Sequence, residues 1–251
     1  MIYVKDVLAA RIYPVRRTSF FPYVGGGNSF DPISSSRSRD RNMNPTTVAM
    51  LNCLDKARSE TQPFRYWLLE DALSPEVCAG IAGLPIEPPR PDRYDGTREC
   101  NNQSRTYLNA ELCSTSAVCR EVVDALEDNR TIAKFESVCG TDLSKGNLRI
   151  EYTQDTDGFR LEPHTDIGVK LFTMLVYLSE EPELADAGTD LYDADHEHAG
   201  RAPFARNLGL IFIPGDDTWH GFAARPIPGV RRSIIVNYVT DDWRERWQLA
   251  P

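Results

Sequence analysis

Four histidines occur in the 251 residues, and all lie beyond residue 160: His164, His196, His198 and His220. Imidazole is the commonest metal ligand among side chains, so their settings are the first place to look for chemistry. His164 stands in Glu162-Pro-His-Thr-Asp166. On an extended segment, side chains two apart face the same side. His164 and Asp166 can therefore offer one nitrogen and one oxygen to a single ion. His220, in Thr218-Trp-His-Gly-Phe222, follows an apolar stretch and a Pro-Gly-Asp turn. It stands near a strand end, from which a third ligand can point inward. Two histidines and one carboxylate on one face, with other positions left open, form the ligand set of non-haem ferrous iron in oxygen chemistry. A His–Asp hydrogen bond with no metal would leave the same two-residue trace, so that pair alone does not decide.

Two further segments bear on the question. His220 follows His164 by 56 residues, enough for several strands between them. Downstream, Gly229-Val-Arg-Arg-Ser233 leads into the apolar run Ile234–Val239. Arg231 and Ser233 share a face, and a guanidinium beside a hydroxyl suits a carboxylate, which it binds with two parallel hydrogen bonds. Arg232 points to the opposite face and is the alternative anchor.

These side chains need elements to hold them. Short apolar runs at Leu148–Tyr152, Leu171–Leu178, Leu208–Ile213 and Ser233–Val239 are separated by Gly, Asp and Pro turns, which predicts strands. Gly188-Thr-Asp-Leu-Tyr192 adds a strand and turn between the two ligand segments. The N-terminal half reads differently. Thr46–Glu60 carries Val48, Leu51, Leu54 and Ala57 on one helical face. Phe64–Leu69 reads as a strand, and Ser74-Pro75-Glu76 opens a helix running to Ala82. Ser114–Asn129 and Arg130–Cys139 are predicted helices, after a Pro-rich connection over Leu84–Asp95. Helices first and antiparallel strands after them predict an α+β, mainly β fold: a barrel or sandwich buttressed by N-terminal helices.

Composition narrows the partners. The formal charge is −9, with 28 Lys and Arg against 37 Asp and Glu. Residues 1–42 carry +4 of this and the remainder −13. An acidic body argues against nucleic acid and against a polybasic membrane anchor. No run approaches the ~18 apolar residues of a spanning helix. The Gly/Ser/Arg-rich stretch Gly25–Asp40 has no structural period, so residues 1–42 read as a flexible arm. The expected organisation is this arm and one domain over 43–251, with a helical buttress at 43–147 and a strand-rich core at 148–240. Six cysteines without CxxC spacing, and no secretory signal, predict reduced buried thiols in a cytoplasmic protein.

Between residues 148 and 238 the sequence resembles the Fe(II)/2-oxoglutarate-dependent dioxygenase superfamily, nearest its prolyl-4-hydroxylase-like branch. The matching pieces come in order: Tyr152 ending a strand, Gly158 in the following loop, and EPHTD. Then come Leu175-Val-Tyr-Leu178, GTDLY, LGLIFIPGDDTWH and GVRRS. The resemblance implies a double-stranded β-helix, the jelly-roll or cupin-like core. It implies iron ligands at His164, Asp166 and His220, and Arg231 as anchor for the distal carboxylate of 2-oxoglutarate. Arg231, rather than Arg232, keeps the Gly-x-Arg-x-Ser register. Ser233 is similar to the family's supporting hydroxyl, and Tyr152 stands where a cosubstrate contact is expected. One departure is plain: many members carry Tyr three residues before the first histidine, and this chain has Leu161.

The implied reaction needs Fe(II), 2-oxoglutarate and O2, with ascorbate as reductant in vitro. It hydroxylates an unactivated C–H bond and releases succinate and CO2. The carboxylate at Asp166, where related halogenases have a small residue, favours hydroxylation, desaturation or ring closure over halogenation. A small polar molecule, such as an amino acid or natural-product intermediate, is the expected substrate. A peptidyl or prolyl-type hydroxylase and a non-catalytic cupin-like binding protein are the rival readings. The polar stretch Arg93–Asn109 could wall the site, with Arg105 and Asn102 as substrate contacts. Lys170, just after the ligand loop, could reach the mouth. His196 and His198 lie in a polar, turn-like stretch and read as a solvated loop.

Overall fold

Asn44 opens the first helix by accepting a hydrogen bond from the Thr46 amide, with Pro45 at its first position. In the computed structural model, which describes residues 43–89, 95–97 and 105–251, this helix, α1, spans Pro45–Lys56. It ends four residues earlier than the apolar pattern predicts. Ala57 turns extended, and β1 (Arg58–Glu60) pairs back onto β2 (Tyr66–Glu70). Helix α2 (Pro75–Ala82) begins as read, with the Ser74 hydroxyl accepting from the Val77 amide. The predicted helix Ser114–Asn129 is in fact two. Asn109 caps α3 (Ala110–Thr115), and Ser116 then leaves helical geometry to cap α4 (Ala117–Glu127). Asp128 caps α5 (Asn129–Cys139), which stops at left-handed Gly140. Each break carries a side chain that satisfies amides the broken helix exposes.

Two antiparallel sheets follow. The larger has seven strands in the order β1-β2-β9-β6-β11-β4-β3, where β3 is Thr106–Tyr107, β4 Asn147–Asp155, β6 Lys170–Tyr177, β9 Leu208–Phe212 and β11 Arg231–Val239. The smaller runs β5-β10-β7-β8, where β5 is Leu161–His164, β7 Asp190–Tyr192, β8 His198–Arg201 and β10 His220–Phe222. This is the expected jelly roll with helical buttresses.

Strands β4, β6, β9 and β11 of the large sheet are buried on both faces, and their alternation sorts side chains between two cores. Leu148, Ile150 and Tyr152 of β4, with Ile234, Val236 and Tyr238 of β11, join the core that packs on the helices. Phe172 of β6 sits there between Phe135 of α5 and Tyr238, with ring centroids 4.7 and 5.6 Å away. Such pairs contribute about 0.5–1.5 kcal/mol each beyond area burial. Leu175 and Tyr177 of β6, Phe212 of β9 and Ile235 of β11 face the other way, between the sheets. Gly209 lets β9 lie against β6, because a Cβ there would stand 2.1 Å from the Leu175 carbonyl oxygen.

The five described cysteines are free and buried. Burial pushes the Cys53 and Cys113 thiols up to about 11 and Cys139 up to about 12. No helix among the described residues is long and apolar enough to cross a membrane. The predicted arm 1–42, Cys100, Asn102 and most of Arg93–Asn109 lie outside the described residues.

Candidate metal centre

β5 and β10 run antiparallel with His164 directly opposite His220. This cross-strand pairing brings the two rings to a centroid distance of 4.3 Å. Asp166 follows two residues beyond His164, and its carboxylate completes a set of three donor atoms within 4.8 Å of one another. His220 is buried, His164 is half-buried, and the side chain of Asp166 is buried.

The surrounding bonds fit a metal. Nδ1 of His164 lies 3.0 Å from the Glu162 carbonyl oxygen, and Nδ1 of His220 lies 2.9 Å from that of Thr218. A carbonyl only accepts, so each Nδ1 donates, and in the neutral ring Nε2 then keeps its lone pair for an ion. Asp166 is held on both oxygens. Oδ1 accepts from Lys170 Nζ at 2.5 Å, and Oδ2 accepts from the Thr173 hydroxyl at 2.6 Å. Thr173 in turn accepts from Asn237 Nδ2 at 2.9 Å. A carboxylate has about four lone-pair sites, so two bonds orient it and leave room for coordination. Two neutral imidazoles and one oriented carboxylate are the donor set that ferrous iron takes in a facial triad.

Gly221 is why the two ligand strands come so close. A Cβ there would stand 2.7 Å from the Leu161 carbonyl oxygen. Gly221→Ala must therefore push β10 away from β5 and carry His220 away from His164. We expect a loss of about 10–100-fold in Mn(II) affinity, the range for disturbing groups that orient ligands, measured by calorimetric titration.

The three donors stand where two cavities meet. The outer cavity, about 420 Å³, is lined by His164, Asp166, Thr97, Glu162, Ile167, Lys170, Arg149 and Trp243 among others. The inner pocket, about 40 Å³, is lined by Asp166, His220, Arg105, Asp155, Arg231 and apolar walls including Phe159, Leu175 and Ile235. Asp166, Lys170 and Leu161 line both.

Arg231 is 5% exposed and faces the inner pocket. Its Nη1 donates to Asp155 Oδ2 at 2.6 Å and its Nε to the Ala187 carbonyl at 2.6 Å. The rings of Tyr177, Phe204 and Phe222 lie 5.0–5.8 Å from its guanidinium carbon. Arg232 alternates to the other face of β11, with Nη1 4.0 Å from Glu181.

The other predicted residues fall out unevenly. Tyr152 does not face the inner pocket: it pairs with Ile234 on the helix-facing side of the sheet, beside Arg232. Burial, partly offset by that arginine, raises its hydroxyl above the usual range. The expected cosubstrate contact is thus corrected by strand parity. Ser233 shares the Arg231 face, but its hydroxyl meets Thr153 Oγ1 at 2.7 Å, and it is not among the residues lining the inner pocket. Lys170, read as a mouth residue, is buried on Asp166 between the two cavities. His198 lies 3.2 Å from Asp190, and His196 lies tilted against Trp219 with ring centroids 3.8 Å apart, so neither joins the donor set.

Sequence reasoning missed Asp155, Arg149 and Asn237. For Asp155 and Arg149 the signal was present in β4, where Arg149, Glu151, Thr153 and Asp155 fall at every second position. Arg149 pairs with Glu151 and donates to Asn237 Oδ1 at 3.2 Å and to Gln248 Oε1 at 2.8 Å. A polar line thus runs along the inward face from Asp155 to Arg149.

No protein-family model matches the chain, and no curated protein is similar to it. Solved structures do match. A prolyl-4-hydroxylase from Pseudomonas putida is 14% identical, over 79% of this chain and 95% of that one, with a TM-score of 0.50. Prolyl 4-hydroxylases from Phytophthora capsici give 12% identity over 78% of this chain and 65% of theirs, again with a TM-score of 0.50. At these identities the likeness is one of fold. This chain has the jelly-roll fold of those hydroxylases, with a His-x-Asp…His donor set inside it.

Proposed function

We propose that the protein is a 2-oxoglutarate-dependent ferrous oxygenase that hydroxylates an unactivated C–H bond of a small polar molecule. The observation that carries this reading is the placement of three oriented donors at the junction of a buried arginine pocket and a larger outer cavity. When bound, iron and 2-oxoglutarate supply the oxidising chemistry: O2 and 2-oxoglutarate are consumed, succinate and CO2 leave, and C–H becomes C–OH.

The chain's own residues divide the remaining work. His164, Asp166 and His220 hold the metal on one face and leave the other face to ligands. Arg231 draws the distal carboxylate of the cosubstrate into the inner pocket. Thr173 and Lys170 fix the Asp166 carboxylate, and the apolar inner walls exclude water. The outer cavity holds substrate. Its volume lies within the ~300–1,000 Å³ usual for small-molecule sites, and Lys170, Arg149, Glu162 and Thr97 give it polar contacts. The Trp243 indole N–H, which has no hydrogen-bond partner among the described residues, adds a donor in that wall.

A second reading has its own support. The outer cavity shares Ile167 and Trp243 with a neighbouring cavity of about 480 Å³ that continues over Val169, Asp242, Arg244 and Glu245. A polypeptide could lie along this run, as in a peptidyl hydroxylase. One assay compares the two readings: succinate release from purified protein, Fe(II), ascorbate and 2-oxoglutarate, with a metabolite extract or a proline-rich peptide library added. We expect stimulation by the metabolite extract. Stimulation by peptides alone would favour the second reading, and no succinate in any arm would contradict both.

A further inference from the structure

The inner pocket contains a second buried arginine that the reading above does not use. Arg105 immediately precedes β3, whose pairing with β4 sets Thr106 opposite Tyr152. Its side chain is 3% exposed and lines the same pocket as Arg231. One carboxylate bridges the two cations: Asp155 accepts from Arg105 Nη1 on Oδ1 at 3.1 Å and from Arg231 Nη1 on Oδ2 at 2.6 Å. Arg105 Nε is buried without a hydrogen-bond partner among the described residues, and its one ion pair there is the long one to Glu151 Oε2, at 3.9 Å.

Charge and shape point the same way. Lys170 is matched by Asp166 and Arg149 by Glu151, which also reaches Arg105, so with Asp155 these four cations share three carboxylates. Buried cations are costly unless paired, and one further carboxylate would balance them. The pocket is narrow, about 40 Å³, with Phe159, Leu175 and Ile235 as walls. That is room for a short acyclic arm ending in a charged group. Leu161, which also lines it, has no hydrogen bond to give.

We propose that Arg105 is a second anchor for the distal carboxylate of 2-oxoglutarate, set beside Arg231 by their shared partner Asp155. This rests on the reading of the site as a 2-oxoglutarate site, and it moves Arg105 from the substrate to the cosubstrate. A guest carboxylate lying between the two guanidiniums would accept from both.

The test is calorimetric, with Mn(II) in place of iron and no turnover. Wild type, Arg105→Gln and Arg105→Lys are titrated with 2-oxoglutarate and with 2-oxobutyrate, which keeps the 2-oxo acid head and lacks the distal carboxylate. Arg105→Gln should weaken 2-oxoglutarate binding by about 10–100-fold, the range for losing a hydrogen bond to a charged group. 2-Oxobutyrate binding should be unchanged. Arg105→Lys keeps the charge in the buried site and should give a smaller loss, again confined to 2-oxoglutarate, which preserves the test if the glutamine variant does not fold. Unchanged 2-oxoglutarate affinity in both variants, or equal loss for both ligands, would overturn the proposal alone. Failure of wild type to bind 2-oxoglutarate at all would overturn it together with the functional reading.

Discussion

Asp166→Ala is expected to lower Fe(II) or Mn(II) affinity by more than about 100-fold and to abolish conversion of 2-oxoglutarate to succinate. Disturbing a group that merely orients a ligand costs about 10–100-fold, and this variant removes the ligand itself. It also strands a cation. Lys170 Nζ sits 2.5 Å from Asp166 Oδ1, with both side chains 4% exposed, and an unpaired buried ammonium destabilises the fold. The double variant Asp166→Ala/Lys170→Met separates these effects. It should regain thermal stability and remain unable to bind metal. Calorimetric metal titration with a parallel melting curve reads both, and full coupled turnover in Asp166→Ala would remove the carboxylate from the ligand set.

The second large effect is on stability. Asp190 is fully buried in β7. Its carboxylate accepts from Arg201 Nε at 2.7 Å, from Arg225 Nη1 at 2.5 Å and from the Ala223 amide at 2.7 Å. Burial alone would raise its pKa, but the bonds from Arg201, Arg225 and Ala223 outweigh it, and the carboxyl titrates below its usual value. Breaking a buried ion pair by removing one partner costs about 3–5 kcal/mol, and Asp190→Asn should fall in that range at pH 7. The folded-state pKa is the lower one, so the charge stabilises fully above the unfolded value, near 3.9. That stabilisation is lost as pH falls from there through the folded value. Urea unfolding of wild type and Asp190→Asn should therefore differ widely at neutral pH and converge in acid. A difference that does not change with pH would contradict the ionised assignment. Asp190 also pairs with Gly221, next to His220, so the variant should loosen the metal site as well.

The site was legible in the sequence wherever short spacing determines direction. His164 and Asp166 are two apart on an extended segment, and the Arg231 and Arg232 alternation follows from the period of a strand. The cap at Ser74 is equally local. What escaped depended on contacts distant in sequence. Helix α1 stops at Lys56 because Arg58–Glu60 finds β2, a pairing that no helical periodicity reveals. For Tyr152 the resemblance implies a cosubstrate contact that the sequence alone cannot check, because β4 is buried on both sides. Alternation separates its residues into two sets, and only the tertiary packing decides which set meets the helices. The composition of its segment marks Arg105 as a substrate contact in the wall of the site, and its place beside Arg231 follows only from Asp155, 50 residues later.

The central claim is that His164, Asp166 and His220 hold ferrous iron beside 2-oxoglutarate. The most direct measurement is a crystal structure of the protein soaked without oxygen in Fe(II) and 2-oxoglutarate, with the metal located by its anomalous scattering. The account predicts one iron bound by Nε2 of His164, a carboxylate oxygen of Asp166 and Nε2 of His220, with the cosubstrate's distal carboxylate on Arg231. A metal held by other residues, or 2-oxoglutarate bound away from the inner pocket, would contradict it.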